Sequence, residues 1–574
     1  MKFIEAVNLR KDLIDEIGLD NTHLAMAIAL FIEEPDVAAL ASEGLTDGGN
    51  DKKIDFIYHD VDNRRLVFAQ GYFSLSEKKP DSAPANKAAD LNTACAWLIS
   101  GDLKTVPKKL AGIITSFREA LTNGDIDFID LLYVHNLAES VGVARELQTV
   151  EGHLRTAIAN DKILVKSYEL GEAKLDSLLA AQDSHIEVQD QVTFPGTIGI
   201  RQSGKTWRAG VASIDGEWIH QLYERYGDKL YSANYRGFLG ADGRKRVNSG
   251  IRDTAENAPD DFWAYNNGIT ILTQGWSEDK KAGTVLQGIS VINGAQTTGS
   301  VGMVDKNKAR LSELSLLCRI IACSDQDTVD RIVKYNNTQN AITTWDQFSN
   351  DDEQRRIGQE FQELGFIYNR KRGFAASGDQ LGIEQVLQPL LAYHGRSRDA
   401  VRGRNQLFTN KPLYKNAFEG KKARHILFVY TLSRAVDTKR LELKKKSDEG
   451  TLISIEQKQL DLLRNLNFKP FLINVIANSL EAIVGRVCDP LTVGFKPDQA
   501  KDHTINELAA RWLPVVETFL PLLTAVIQPE TFFRLHSSGD DSFIKSVKVQ
   551  MDAMLVATDA AAKHKDFAEM VAAG

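Results

Sequence analysis

The sequence predicts a multidomain α/β (α+β) chain with an α/β domain over residues 1–185, a mixed α/β domain over 195–405 and a mainly helical region over 410–574. Three observations carry this reading. The N-terminal part alternates helix-like and strand-like segments. The middle mixes strands and helices between Asn-Asn and Asn-Gly turns. The last part, in "ILFVYTLSRAVDTKRLELKKK" and "LAARWLPVVETFLPLLTAVI", spaces its apolar residues at the helical period. A length of 574 residues suits about two to four such domains.

The elements follow in order. Asn21 is placed to cap a helix that runs to about Glu34, where Pro35 stops it. The runs "IDFIYHD" and "RRLVFAQGYF" flank a short polar turn and read as a hairpin. "AADLNTACAWLIS" and "KKLAGIITSFREAL" read as helices, "IDFIDLLYVHN" as a buried strand, and "AESVGVARELQTVEGHLRTAIA" as a long helix. The stretch from about Asp183 to Pro195 is expected to pass between domains.

Composition narrows the classes. The chain is 43% hydrophobic and 25% charged, an ordinary globular balance. No apolar run reaches the roughly 18 residues of a membrane span, and the charged N-terminus lacks the apolar centre of a signal peptide. Cys95, Cys318, Cys323 and Cys488 have no metal-ligand spacing and are expected to be buried free thiols in a reducing cytoplasm. A formal net charge of -8 excludes a protein coated with positive charge, though not a local basic groove.

The hairpin holds the first candidate site. With Asp62-Asn63 as the turn, residues whose numbers sum to about 125 face each other. Asp55 then lies opposite Gln70, and Tyr72 shares the face of Gln70. Two oxygen-bearing side chains across a hairpin suit a divalent metal. The arrangement resembles the core of the PD-(D/E)xK nucleases, a restriction-endonuclease-like α/β fold. The resemblance implies Mg²⁺ (or Mn²⁺) on Asp55 and Gln70 as the catalytic pair. The chain departs from it at Tyr72, where the family places its catalytic Lys. Lys87 is the candidate replacement, and Glu33 or Glu34 a candidate further ligand.

Three segments mark the middle: "FWAYNNGIT", "ISVINGAQTTGSV" and "VKYNNTQNAITTWD". The first is a tight turn. The second runs a strand into a helix start, a junction suited to phosphate. The third crowds amide side chains that are costly to bury unpaired. With "YGDKLYSANYRGFLG" before them and "FIYNRKRG" after, this ordered set resembles the AIPR (abortive infection phage resistance) family. The resemblance implies bacterial defence against phage and, often, an N-terminal PD-(D/E)xK-like region. Candidate nucleic-acid or phosphate contacts are Arg236, Arg246, Asn267, Asn293, Gln296, Thr297, Asn337, Gln339, Arg370, Lys371 and Arg372. Arg396, Arg398, Arg402 and Arg404 add a further basic cluster.

Finally, "GIRQSGKT", Gly199–Thr206, fits the phosphate-cradling pattern G-x-x-x-x-G-K-[ST]. That chemistry needs a helix after Thr206. "TWRAGVASI" is instead rich in strand formers, so the segment reads as a hairpin turning at Ser203-Gly204-Lys205, with the first helix near Glu217. Three functions stay open: a defence protein that cleaves RNA or DNA with a metal, a non-catalytic nucleic-acid or phage-component sensor on a decayed nuclease fold, and a P-loop NTPase. A homodimer is admissible, and no membrane partner is expected.

Overall fold

The computed structural model describes residues 1–46, 53–76, 80–102, 108–160, 163–183, 186, 188–227, 230–231, 245–279, 283–304, 310–337, 352–369, 380–529, 532 and 541–572. The chain forms two compact units, one made of Met1–Leu175 with Thr343–Gly574 and the other of Asp176–Ile342.

In the first unit, strands β1 (Phe56–Asp60), β2 (Arg65–Tyr72), β3 (Phe128–His135) and β4 (Leu164–Leu170) form one sheet in that order. β1 is antiparallel to β2, and β2, β3 and β4 run parallel. The hairpin register is the expected one, with Phe56 facing Ala69 and Asp60 facing Arg65. The loop spans Val61 to Arg64, longer than the two residues expected. Arg64 takes a left-handed φ of 52°, and Asp60 Oδ1 accepts from the Asn63 amide at 3.1 Å. The longer loop has the same centre, so the register is unchanged.

Helices cover both faces of this sheet. Ala85–Ser100, Lys108–Asn123 and Val141–Ile158 enclose a core of Leu66, Phe68, Leu131, Phe117 and Leu147. On the other face, the Phe31 ring of helix Leu19–Ile32 lies 5.0 Å from Tyr168. That helix is capped by Gly18 at φ 85° rather than by Asn21, whose side-chain amide donates back to the Ile17 carbonyl at 3.1 Å.

The C-terminal helices complete this unit. Helix Ala423–Asp448 is buried on most of its circumference, charged residues included. Its polar groups reach partners in the N-terminal segment. The Tyr430 hydroxyl donates to Asp36 at 3.0 Å, the Arg434 guanidinium to Glu16 at 3.3 Å, and the Lys444 ammonium to the carbonyls of Ser42 and Leu45. Paired in this way, the charges avoid most of the cost of burial. Helix Ile505–Val526 is the one helix among the described residues long and apolar enough to cross a membrane. Its Trp512, Val515, Phe519 and Leu523 pack into the core, and the Trp512 indole donates to the Phe428 carbonyl at 3.1 Å. It reads as a core helix.

A histidine pair ties this region together and gives it a pH dependence. The Nε2 atoms of His394 and His425 face each other at 2.9 Å, while their Nδ1 atoms meet the carbonyls of Asn416 and Val493. Each Nδ1 carries the hydrogen that bonds its carbonyl, so the pair takes at most one proton between the rings. Burial, then the charge of the neighbouring ring, hold His394 down to about 3, and burial holds His425 at about 4. Unfolded, both rings accept protons below about pH 6.5. The unfolded chain thus binds more protons over that range, and stability is lost as the pH falls from about 6.5 toward 4. Urea midpoints are expected to drop between pH 7 and 5, and the double variant His394→Gln/His425→Gln to flatten that drop relative to wild type.

In the second unit, β5 (Val188–Phe194), β6 (Arg201–Ser203), β7 (Trp207–Asp215), β8 (Ile269–Thr273), β9 (Gly275–Asp279), β10 (Gly283–Asn293) and β11 (Ser315–Cys323) form a mixed sheet. The order is β5-β10-β8-β11-β7-β6, with β9 also paired to β10. β5 falls where a passage between domains was expected. "VQDQVTF" is mostly exposed along its length, as suits an edge strand, and its sparse apolar positions hid it. The segment "GIRQSGKT" is a hairpin. Arg201 faces Gly210, Ser203 faces Arg208, and the Gly204 amide donates to the Trp207 carbonyl at 2.8 Å. The following helix starts at Gly216, capped by Asp215. With a strand where a phosphate cradle needs a helix, the P-loop reading is set aside.

Candidate functional site

Two places bear the predicted residues, one in each unit. In the first, the register places Asp55, Gln70, Tyr133 and Glu169 in one row across the sheet, on one face. Tyr72 and His135 form the next row on that face. Asp55 and Gln70 are therefore together, as expected. The Gln70 amide donates to Asp55 Oδ2, which also accepts from the Gly71 backbone amide at 2.7 Å. Gln70 is buried, and its Oε1 has no hydrogen-bond partner.

The neighbours were missed by sequence reasoning. The Leu137 amide donates to His135 Nδ1 at 3.4 Å, so the ring hydrogen sits on Nε2 and is donated to Glu169 at 3.1 Å. Glu169 also accepts from the Ser140 amide at 3.0 Å. The Tyr133 hydroxyl donates to the Pro84 carbonyl at 3.1 Å, and burial raises its pKa. Only strand pairing brings Tyr133, His135 and Glu169 to the hairpin, and pairing between distant strands leaves no local pattern.

This donor set suits Mg²⁺ poorly. Asp55 Oδ2 already has two donors. Tyr72 stands where a lysine would orient water. Lys87 lies in the first turn of helix Ala85–Ser100, half-buried, and its side chain makes no hydrogen bond or ion pair to Asp55 or Gln70. Glu34 is no ligand either: it is buried against Arg404, which grips both its oxygens. Among the described residues no three His, Cys, Asp or Glu side chains are grouped to hold a metal ion. The lysine nearest in sequence, Lys53, pairs with Asp90 at 3.6 Å.

Three arginines of the basic cluster around residue 400 are engaged in ion pairs. Arg396 and Arg402 pair with Asp399 at 2.7 and 3.1 Å, and Arg404 with Glu34. Arg404 therefore serves the fold, while Arg396 and Arg402 share one aspartate at the surface.

The second place lies in Asp176–Ile342, where the three Asn-rich segments converge. Asn266 Oδ1 accepts from the Gly268 amide at 2.9 Å, and its side-chain amide donates to Thr297 Oγ1 at 3.2 Å. The Asn293 side chain donates to the Asn336 carbonyl at 3.5 Å. Asn336 in turn donates to the Ile332 carbonyl at 2.8 Å and accepts from Arg319. Two glycines allow this closeness. Gly268 has φ 75° and Gly294 φ 85°. A Cβ on Gly294 would stand 2.7 Å from the Gly268 carbonyl oxygen. Gly294 caps helix Ala295–Gly302 without a side chain, so no capping side chain accepts from its first amides.

Of the predicted contacts here, Asn293, Gln296 and Thr297 are brought to this point, and Asn267 is exposed beside it. For Arg246 and Asn337 only the backbone is described, in helices Lys245–Asn257 and Gln326–Asn337. Arg236, Gln339, Arg370, Lys371 and Arg372 lie outside the described residues. Unpredicted aromatics flank the cluster: Trp263 is 44% exposed, Tyr265, next to Asn266, is 72%, and Tyr335, next to Asn336, is 67%.

Residues 231–477 match the family model described as AIPR protein, a span that starts later and ends later than the resemblance expected over 195–405. No curated protein and no solved structure matches the chain.

Proposed function

We propose that the chain, through its AIPR-type segment, serves bacterial defence against phage by binding single-stranded nucleic acid in the cytoplasm without cutting it. The observation that carries this reading is the convergence of Asn266, Asn293, Thr297, Asn336 and Arg319 with Tyr265 and Tyr335 exposed beside them. Bases stack on the rings. Phosphates take the uncapped amides at the start of helix Ala295–Gly302 and the Arg319 charge. Asp260 and Asp261, exposed just before Trp263, repel phosphate and leave that side to bases.

The non-hydrolytic part rests on Asp55. Its carboxylate is held by Gln70 and Gly71, with Tyr72 in place of a lysine. Cleavage by this sheet keeps one point in its favour, the buried, unpartnered Gln70 Oε1. The test is to incubate the protein with end-labelled single-stranded RNA or DNA in Mg²⁺ or Mn²⁺. The strand is expected to shift on a native gel and stay intact on a denaturing one, with Asp55→Ala and Lys87→Ala indistinguishable from wild type. Cleavage that Asp55→Ala abolishes would restore the nuclease reading. The defence role predicts fewer plaques when the gene is carried, and equal plaque counts across a broad phage panel would count against it.

A further inference from the structure

Two acids stand among the rings of the proposed binding surface. Asp260 and Asp261 are exposed and end the turn Pro259–Asp261, which runs straight into helix Phe262–Tyr265. Asp261, at φ -87° and ψ -7°, and Phe262, at φ -57° and ψ -36°, both have helical backbone, so turn and helix form one continuous run. Residues four apart on a helical run are neighbours on one side, with about 5–6 Å between their Cβ atoms. Asp261 is therefore the neighbour of Tyr265, which is 72% exposed. The Asp261 side chain makes no capping hydrogen bond, and among the described residues neither acid has an ion-pair partner. Its carboxylate is left open to what lies on the ring.

A carboxylate accepts hydrogen bonds and donates none. It repels phosphate, and it repels the acceptor atoms on the edge of a base. Bases of a single strand are read on their Watson–Crick edges while they stack on aromatic rings. On that edge guanine presents two adjacent donors, N1–H and the N2 amine, which match the two oxygens of one carboxylate. Adenine sets its N6 amine beside the acceptor N1, and cytosine its N4 amine beside the acceptor N3. Uracil holds N3–H between two carbonyls. Each of these three sets an acceptor against the second carboxylate oxygen.

Resting on the strand binding proposed above, we infer that this surface selects guanine. The base stacks on Tyr265 and donates from N1–H and the N2 amine to Asp261.

Fluorescence anisotropy of the full chain with labelled oligouridine strands, each carrying one central guanosine, adenosine or inosine, tests this. Adenosine controls for the larger stack of a purine. Inosine keeps N1–H and lacks only the N2 amine. The guanosine strand is expected to bind roughly tenfold more tightly than the adenosine strand, with the inosine strand between them. In Asp261→Asn the guanosine and adenosine strands are expected to bind alike. The melting temperature should hold, because the side chain is exposed and caps nothing. Equal affinity for guanosine and adenosine in the wild type, or a guanosine preference that survives Asp261→Asn, overturns the guanine assignment and leaves strand binding standing. Failure of every strand to bind overturns strand binding and the assignment with it.

Discussion

Arg404→Met is expected to cost the first unit about 3–5 kcal/mol, the scale of breaking a buried ion pair from one side. The guanidinium grips both oxygens of Glu34, and its backbone amide donates to Asp62 at 2.9 Å. Glu34 is buried and Arg404 and Asp62 are partly so, so removing the cation leaves carboxylates in a low-dielectric setting. Burial already raises the Glu34 pKa, and Arg404 is the first group that opposes the rise. Without Arg404 the rise grows, and Glu34 becomes a stronger proton acceptor folded than unfolded. Protonation then relieves the variant, so its deficit shrinks as the pH falls. Urea unfolding at pH 8 and pH 5.5 checks the sign, with the larger deficit at pH 8. Arg404→Met/Glu34→Gln is expected to recover part of the loss, because the stranded charge goes with its partner.

Gly268→Ala is expected to cost the second unit about 3 kcal/mol or more, by strain and overlap together. Gly268 has φ 75°, and a Cβ there would lie 2.2 Å from the Leu317 carbonyl oxygen. That oxygen is backbone in the central strand β11, so it cannot rotate away. Relief has to separate β8 from β11, which also pulls Asn266 from Thr297. The variant is expected to melt earlier and to bind nucleic acid more weakly. Asn267→Ala, at an exposed neighbour with no such constraint, should leave the melting temperature unchanged. Equal melting temperatures for Gly268→Ala and wild type would show that the turn yields.

Much of the fold was legible because its signals are local. The alternation in "IDFIYHD" and "RRLVFAQGYF" defined the hairpin and placed Asp55 beside Gln70 without the loop length being right. The strand formers after Thr206 outweighed the phosphate-loop pattern before it. What escaped was long-range. Glu169 and His135 join the hairpin row through pairing of distant strands. Arg404 looked like a surface cation in a basic run, and its acid lies far away in sequence at Glu34. Tyr265 and Tyr335 carry no sequence mark that separates them from core aromatics. They are exposed because Phe262 and Val333 supply the buried positions of their short helices.

The measurement that bears most directly on the proposed function is the affinity of Tyr265→Ala/Tyr335→Ala for labelled single-stranded RNA and DNA in Mg²⁺. Loss of base stacking costs about 1–3 kcal/mol per base, so affinity should fall by roughly tenfold or more while the strand stays intact and the melting temperature holds. Unchanged affinity, or strand cleavage that Asp55→Ala abolishes, would contradict the account.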